Sequence, residues 1–327
     1  MSSQSTLTRG YTVALISAVL LSTTAVFIRY LTQNYAIEPL VLAFWRALFV
    51  VLTLLVALAL FKRKLLHVPR THWGYLAIYG LVLAVFNSLW TLSVAQNGAA
   101  VATVLVYCSA AFTALLGWWL LKERLDWGKI VAVTLCLAGC VLVSGALNPA
   151  VWQTNLLGIL AGVLSGLGYA IYSLMGRAAS QRGLNPWTTL LYTFSFATVF
   201  LLLINLLPGD LIPGTAAQPS DFFVLGSSLA GWGVLLLLAA GPTVTGFGLY
   251  NVSLSLLPAS VVNLILTTEP VFTAVLAIIL LGERLTVTQL AGSLLIMSGV
   301  VFLRVYEGRL AKQKRLEPLP LSTLSAD

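Results

Sequence analysis

Residues 257–285 read LPASVVNLILTTEPVFTAVLAIILLGERL. From Ala259 to Leu281 the run is apolar and long enough to cross a bilayer, which takes about 20 helical residues. Near its middle stands one carboxylate, Glu269, followed directly by Pro270. The run closes on Gly282-Glu283-Arg284-Leu285, and a matching Lys122-Glu123-Arg124-Leu125 stands 160 residues earlier. A charge inside an apolar helix and a repeated helix end are the two features that the rest of the chain must explain.

Of 327 residues, 59% are hydrophobic and 9% charged, where a soluble domain carries about 25% charged residues. The composition therefore implies an all-α protein of many membrane spans with no sizeable soluble domain. The net charge of +8 would favour nucleic acid in a soluble chain. Here the basic residues lie in short connections, without the aromatic interleaving of a nucleic-acid module, and they set topology instead. Cys108, Cys136 and Cys140 all fall in apolar runs without disulfide or zinc spacing, as buried packing residues do. The first apolar run, Tyr11–Ile28, is longer than a signal peptide's core, lacks a clear cleavage site and ends at Arg29. It reads as an uncleaved span.

Hydropathy places ten spans: Tyr11–Tyr30, Pro39–Phe61, Trp73–Ala95, Ala99–Leu121, Trp127–Leu147, Asn155–Arg177, Pro186–Leu207, Leu229–Ser253, Ala259–Leu281 and Val287–Tyr306. Pro39 and Pro186 suit a first helical turn. Pro208–Asp221, rich in Pro, Gly and Asp, is a true loop, and Phe222–Ser228 is a short approach to the next span. With the N-terminus in the cytoplasm, all 18 Lys and Arg residues except Arg29, Arg46 and Arg284 fall on the inner side. Both termini are then cytoplasmic, and the charged tail, residues 309–327, is expected to be disordered.

A shift of 160 lays spans 4 and 5 on spans 9 and 10 without a gap. Phe112-Thr113-Ala114 meets Phe272-Thr273-Ala274, and Gly139 meets Gly299. A shift of 148 lays span 1 on span 6, Ser17 on Ser165 and Arg29 on Arg177. The unit has five spans, residues 1–149 and 150–308, so the second copy enters the membrane inverted. That is an architecture of secondary transporters. The basic Lys122 and Lys129 of one turn become Gly282 and Gln289 in its copy, as an outward turn requires.

Several of these stretches resemble the EamA-type transporters of the drug/metabolite transporter superfamily, over nearly the whole chain. The resemblance rests on Tyr250-Asn251-Val252-Ser253 with Leu257-Pro258-Ala259-Ser260, Glu269-Pro270-Val271-Phe272, Leu281-Gly282-Glu283-Arg284-Leu285, Gly292, Gly299, and Arg46 of Phe44-Trp45-Arg46. Span 4 has Ser109-Ala110 where the family often has a proline, which leaves a first-half kink without its usual residue. The resemblance implies two inverted five-helix repeats around a central cavity, and movement of small metabolites, often amino acids.

A charge in hydrocarbon costs about 2.5–3.5 kcal/mol on insertion scales, so Glu269 and Arg46 each need a reason. At 1.5 Å per residue they differ in depth by about 5 Å. Glu269 is expected either to meet an amino group of substrate or carry a proton, or to pair with Arg46 or with backbone freed by Pro270. Further candidates for the cavity wall are Asn87 and Trp90, Tyr107, Tyr169 and Tyr172, Asn251, Asn263 and Thr267. Each of these alone is more often a helix–helix hydrogen bond. Pro242 and Pro270 are the expected hinges. Gly158, Gly162 and Gly166 space a smooth face for close helix packing. His67 and His72 lie at the cytoplasmic edge.

No catalytic constellation, metal-ligand spacing, phosphate loop or nucleotide-binding domain is legible, so neither an enzyme nor an ATP-driven pump is expected. No cofactor is called for. The expected partners are a small-molecule substrate and the lipid bilayer, with protons as a candidate coupling ion. An amino acid or related amphipathic compound is the first substrate class, a nucleotide precursor or cationic drug the alternative. A non-transporting sensor would need a signalling domain that the tail is too short to supply.

Overall fold

The computed structural model describes residues 3–121, 126–143, 155–207, 211–256, 262 and 265–316, and among them there is no strand. The helices are α1 (Ser3–Asn34), α2 (Pro39–Phe61), α3 (Trp73–Asn97), α4 (Ala99–Val106), α5 (Ser109–Leu121), α6 (Trp127–Val143), α7 (Leu156–Gln181), α8 (Pro186–Asn205), α9 (Leu229–Leu238), α10 (Phe247–Leu256), α11 (Glu269–Leu281) and α12 (Val287–Leu316). Among the described residues, seven stretches are long and apolar enough to cross a membrane, and Trp127–Val143, Glu269–Leu281 and Val287–Leu303 are shorter apolar helices. Pro39 and Pro186 do open α2 and α8, where a missing N–H costs nothing. Asn185 completes the second of these starts by accepting from the Trp187 amide at 3.0 Å.

The outer faces of the bundle are apolar. Leu60, Ile78, Leu203, Ile279 and Leu294 are all more than half exposed, an arrangement that only a lipid solvent tolerates around a whole bundle. Inside, small residues let backbones touch. A Cβ on Gly292 of α12 would lie 2.6 Å from the Val143 amide nitrogen and 2.7 Å from the Gly139 carbonyl oxygen of α6. A Cβ on Gly299 would meet the Ala132 carbonyl at 3.0 Å. The glycines that the repeat aligns thus join the last helix of one half to the last helix of the other.

Three expected spans are not continuous helices; one of them, Ala259–Leu281, turns at Thr267–Thr268 just before α11. The run 99–121 breaks at Tyr107–Cys108 into α4 and α5, although no proline is there. The run 229–253 passes through a π-helical segment, Ala239–Gly246, that contains Pro242. The ring denies the helix one N–H, and the wider turn re-routes what remains. Thr243 and Thr245 each donate to the carbonyl five residues back, Leu238 at 3.1 Å and Ala240 at 2.7 Å. Pro242 therefore does mark an irregular point of its span. The loop after α8 also matches its composition. It turns through Pro219–Phe223, a single 3-10 turn held by Gln218 and Asp221, and Trp45 donates to the Phe222 carbonyl at 2.7 Å.

Candidate functional site

The site is built where two broken helices face each other. In the first half, Tyr107 and Cys108 bond back to Val104 and Leu105 at 3.1 Å, a tightened turn between α4 and α5. In the second, Thr267 and Thr268 form a turn immediately before α11. The two turns fall 160 residues apart, the register of the repeat.

Pro270 explains the second break. It stands in the first turn of α11, and its missing N–H would have bonded the Leu266 carbonyl, four residues back. That freed carbonyl accepts from the Tyr107 hydroxyl at 2.9 Å. The same hydroxyl lies 3.0 Å from Glu269 Oε2. Glu269 is in the first turn of α11, where the helix dipole favours an anion.

The first break has no proline, and a helix of the other half, α7, packs closely against it. A Cβ on Gly166 would lie 2.5 Å from Cys108 Sγ and 3.2 Å from the Ser109 amide nitrogen. Gly162 of the same face sits against Leu105 and Ser93, and Gly158 against Gln96 and Asn97. The spacing of these three glycines seats α7 along α4 and the end of α3.

Beside the two breaks lies a cavity of about 180 Å³, walled by residues of α1, α2, α3, α4, α5, α7, α8, the π-helical segment, α10, α11 and α12. Its size is close to the roughly 150 Å³ pocket that admits a benzene-sized molecule. Arg46, Asn87, Trp90, Tyr107, Tyr169, Tyr172, Thr267 and Glu269 all line it, as do Thr24, Thr243 and Tyr250, which sequence reasoning did not single out. The missed threonines carry no sequence signal, because polar residues in these spans also serve helix contacts. Asn263 and the side chain of Asn251 lie outside the described residues. Tyr169 and Tyr172 share a face of α7: both rings approach Phe86, at 5.5 and 6.2 Å between centroids. His67 lies in the connection between α2 and α3 and His72 in its last turn, and neither lines the cavity. All three cysteines are reduced and buried.

Arg46 and Glu269 line the same cavity without bonding to each other. Arg46 is 4% exposed, donates to Asn87 Oδ1, and stands 5.2 Å from the centre of the Trp90 ring. The pairing that their similar depths suggested is absent, because depth does not fix which way a helix turns its side chain. Each charge is held by uncharged neighbours instead.

A second cluster, missed by the sequence reading, ties one end of the bundle. Glu283 follows α11 and reaches the start of α4, accepting from the Ala99 and Ala100 amides at 2.8 and 3.2 Å. Arg29 of α1 stands 3.7 Å from the same carboxylate and also donates to the Ala95 carbonyl of α3. Gly98 makes room: its φ is +87°, and a Cβ would meet Glu283 Oε1 at 2.8 Å. The repeated Glu283 was visible in the sequence, but its partner lies 184 residues away. Only the inward fold of the two halves brings them together.

Tyr107 is the residue that joins the two breaks. Tyr107→Phe removes the one hydroxyl proton that the Leu266 carbonyl and the Glu269 carboxylate share, and a buried acceptor left unpaired costs about 1–3 kcal/mol. The variant is expected to unfold at a lower temperature in detergent and to lose packing between α4 and α11. A thermal unfolding midpoint equal to wild type would show that the contact carries no weight.

A sequence model of the EamA-like transporter family matches residues 8–145 and again residues 156–305. Among curated proteins, an uncharacterized transporter of Archaeoglobus fulgidus is 26% identical over 89% of this chain and 95% of its own length. The uncharacterized inner membrane transporter YicL of Salmonella typhimurium is 25% identical over 93% of this chain and 98% of its own. A further Salmonella typhimurium protein, described as a probable amino-acid metabolite efflux pump, is 26% identical over 76% of this chain and 82% of its own. One solved protein structure superposes with a TM-score of 0.57 at 18% identity, covering 93% of this chain and 99% of that one.

Proposed function

The chain belongs to the EamA-like transporter family of the drug/metabolite transporter superfamily, and on that footing we propose that this membrane protein is a secondary transporter carrying a small amino acid or related amphipathic metabolite by alternating access. Ten crossings, arranged as two inverted five-helix halves (residues 1–149 and 150–308), would place both termini in the cytoplasm of a bacterial inner membrane. Residues 309–327 form a cytoplasmic tail in this reading.

The observation that carries it is the cavity at the two helix breaks, where Glu269 and Arg46 stand apart among aromatic walls. A pair of buried opposite charges that do not neutralise each other is costly to keep. Their separation gives a zwitterionic substrate one partner at each end. The cavity volume of about 180 Å³ suits a single amino acid better than a nucleotide precursor. The relative described as an amino-acid metabolite efflux pump points the same way.

Glu269 is the candidate for the amino group or a coupled proton. Arg46, Asn87, Trp90, Tyr107, Tyr169, Tyr172 and Thr267 are the candidate wall, with Pro242 and Pro270 as hinge points. The test is flux of labelled amino acids and amines into liposomes containing the purified protein, with and without a pH gradient. Flux above that of empty liposomes supports the reading. No flux of any compound counts against it.

A further inference from the structure

We propose that Arg46, Asn87 and Trp90 form a carboxylate-binding subsite, so that the transported molecule must carry a carboxylate and enters with that group toward α2 and α3. The inference rests on the transporter reading above and adds to it a required group, its orientation and the residues that read it.

Three donors meet at this wall of the cavity, and none has an acceptor. Arg46 Nε, Asn87 Nδ2 and Trp90 Nε1 are all buried without a hydrogen-bond partner in the protein. Arg46 and Asn87 are themselves almost fully enclosed, at 4% and 3% exposure. The one acceptor in the group, Asn87 Oδ1, is already used by Arg46. Native interiors leave few buried polar atoms unpaired, and those that exist call for a reason. Three of one kind, on neighbouring side chains beside a cavity, share a single remedy. They need an acceptor.

The charge says which acceptor. A guanidinium buried against an amide and an indole ring still lacks a counter-ion. The carboxylate nearest in function, Glu269, is engaged by Tyr107. A water or a neutral hydroxyl could satisfy one donor, but it would leave the positive charge. A carboxylate brings two oxygens with about four lone-pair sites and matches the planar fork of arginine. It could accept from Arg46 and Asn87 and still meet the indole N–H. An amine brings only donors and would add a second positive charge. Across the cavity the chemistry reverses: Glu269 and Tyr107 present acceptor oxygens. A ligand with an amine and a carboxylate is therefore oriented by both ends.

The test uses purified full-length protein and three matched sets of compounds. Each set holds an amino acid (alanine, leucine or phenylalanine), the amine that lacks its carboxylate, and the acid that lacks its amine. Binding is read as a rise in the thermal unfolding midpoint, and flux as uptake of each labelled compound, amines and acids included, into liposomes. Members bearing a carboxylate are expected to raise the midpoint, and the bare amines are not. The discriminating variant is Asn87→Asp. It supplies Arg46 with an internal counter-ion, so the unliganded midpoint should equal or exceed that of wild type. It also occupies the subsite, and carboxylate binding should weaken about 10- to 100-fold, the range for losing a hydrogen bond to a charged group. Trp90→Phe keeps the ring over Arg46 and removes only one donor. It should weaken carboxylates about tenfold, the low end of that range, and leave the amines unchanged.

Undiminished carboxylate binding in both variants would overturn the subsite. So would amines that bind as well as their parent amino acids, or flux confined to compounds without a carboxylate. In each of those cases flux persists and the transporter reading stands. If no compound binds and none is carried, the transporter reading fails and the subsite with it.

Discussion

Glu269→Gln is expected to fold, to keep its contact with Tyr107, and to lose gradient-driven transport. The amide retains an oxygen at the position where Glu269 Oε2 lies 3.0 Å from the Tyr107 hydroxyl. It also removes a charge from hydrocarbon, where a carboxylate costs about 2.5–3.5 kcal/mol at a helix centre. The folded state should therefore be as stable as wild type or more so. If Glu269 meets the substrate's amino group, losing one partner of a buried charge pair costs about 2–5 kcal/mol, which is about 30-fold or more in affinity. If it carries a proton instead, coupling to a pH gradient disappears while exchange of substrate remains. Flux in liposomes with and without the gradient separates the two. Full transport by a well-folded Glu269→Gln would leave the carboxylate with a packing role only.

Glu283→Ala is expected to loosen one end of the cavity without touching it. Glu283 caps α4 through two backbone amides and stands beside Arg29, so it links α1, α4 and the end of α11. Loss of a helix N-cap costs about 0.5–2 kcal/mol, and the partly buried Arg29–Glu283 pair, at 3.7 Å, adds about 1 kcal/mol or less. A bias of about 2 kcal/mol shifts the ratio of tied to open forms about 30-fold. On the proposed topology this end faces outward. The variant should expose the cavity more often to reagents added outside, while ligand contacts at Glu269 and Arg46 are unchanged. Gln in place of Glu283 keeps an acceptor for the amides and should fall between the two. Equal labelling from outside in wild type and Glu283→Ala would show that this contact does not hold the end shut.

Much of this architecture was legible from residue chemistry. Apolar runs place the helices, and Pro39 and Pro186 fix two helix starts because a first turn needs no proline N–H. The repeat register set Gly139 on Gly299 and the family resemblance added Gly292, and the structure shows why they matter: they let α6 and α12 touch at backbone distance. Glu269-Pro270 signalled an irregular helix and delivered one.

What the sequence hid depends on contacts between distant segments. No local signal breaks the helix at Tyr107, since Ser109-Ala110 is compatible with a straight one. The close approach of Gly166 accompanies that turn, and it comes from a helix in the other half. Depth arithmetic put Arg46 and Glu269 at similar levels but could not say which neighbours their side chains meet. Arg46 found Asn87 and Trp90, and Glu269 found Tyr107. The repeat offered a hint here, because its register sets Thr193 opposite Arg46 and Ser109 opposite Glu269. Neither charge is required by the fold that the two halves share, which fits two groups kept for a ligand.

The central claim is that the cavity between the two helix breaks is reached from each side of the membrane in turn. Its most direct measurement places one cysteine at Ser109, a wall residue, in a background where Cys108, Cys136 and Cys140 are replaced by alanine. Membrane-impermeant thiol reagents are then added to one side or the other of sealed vesicles. Labelling from both sides, slowed by a transported amino acid on either, is the predicted result. Labelling from one side only under every condition, or from neither side while transport continues, would contradict it.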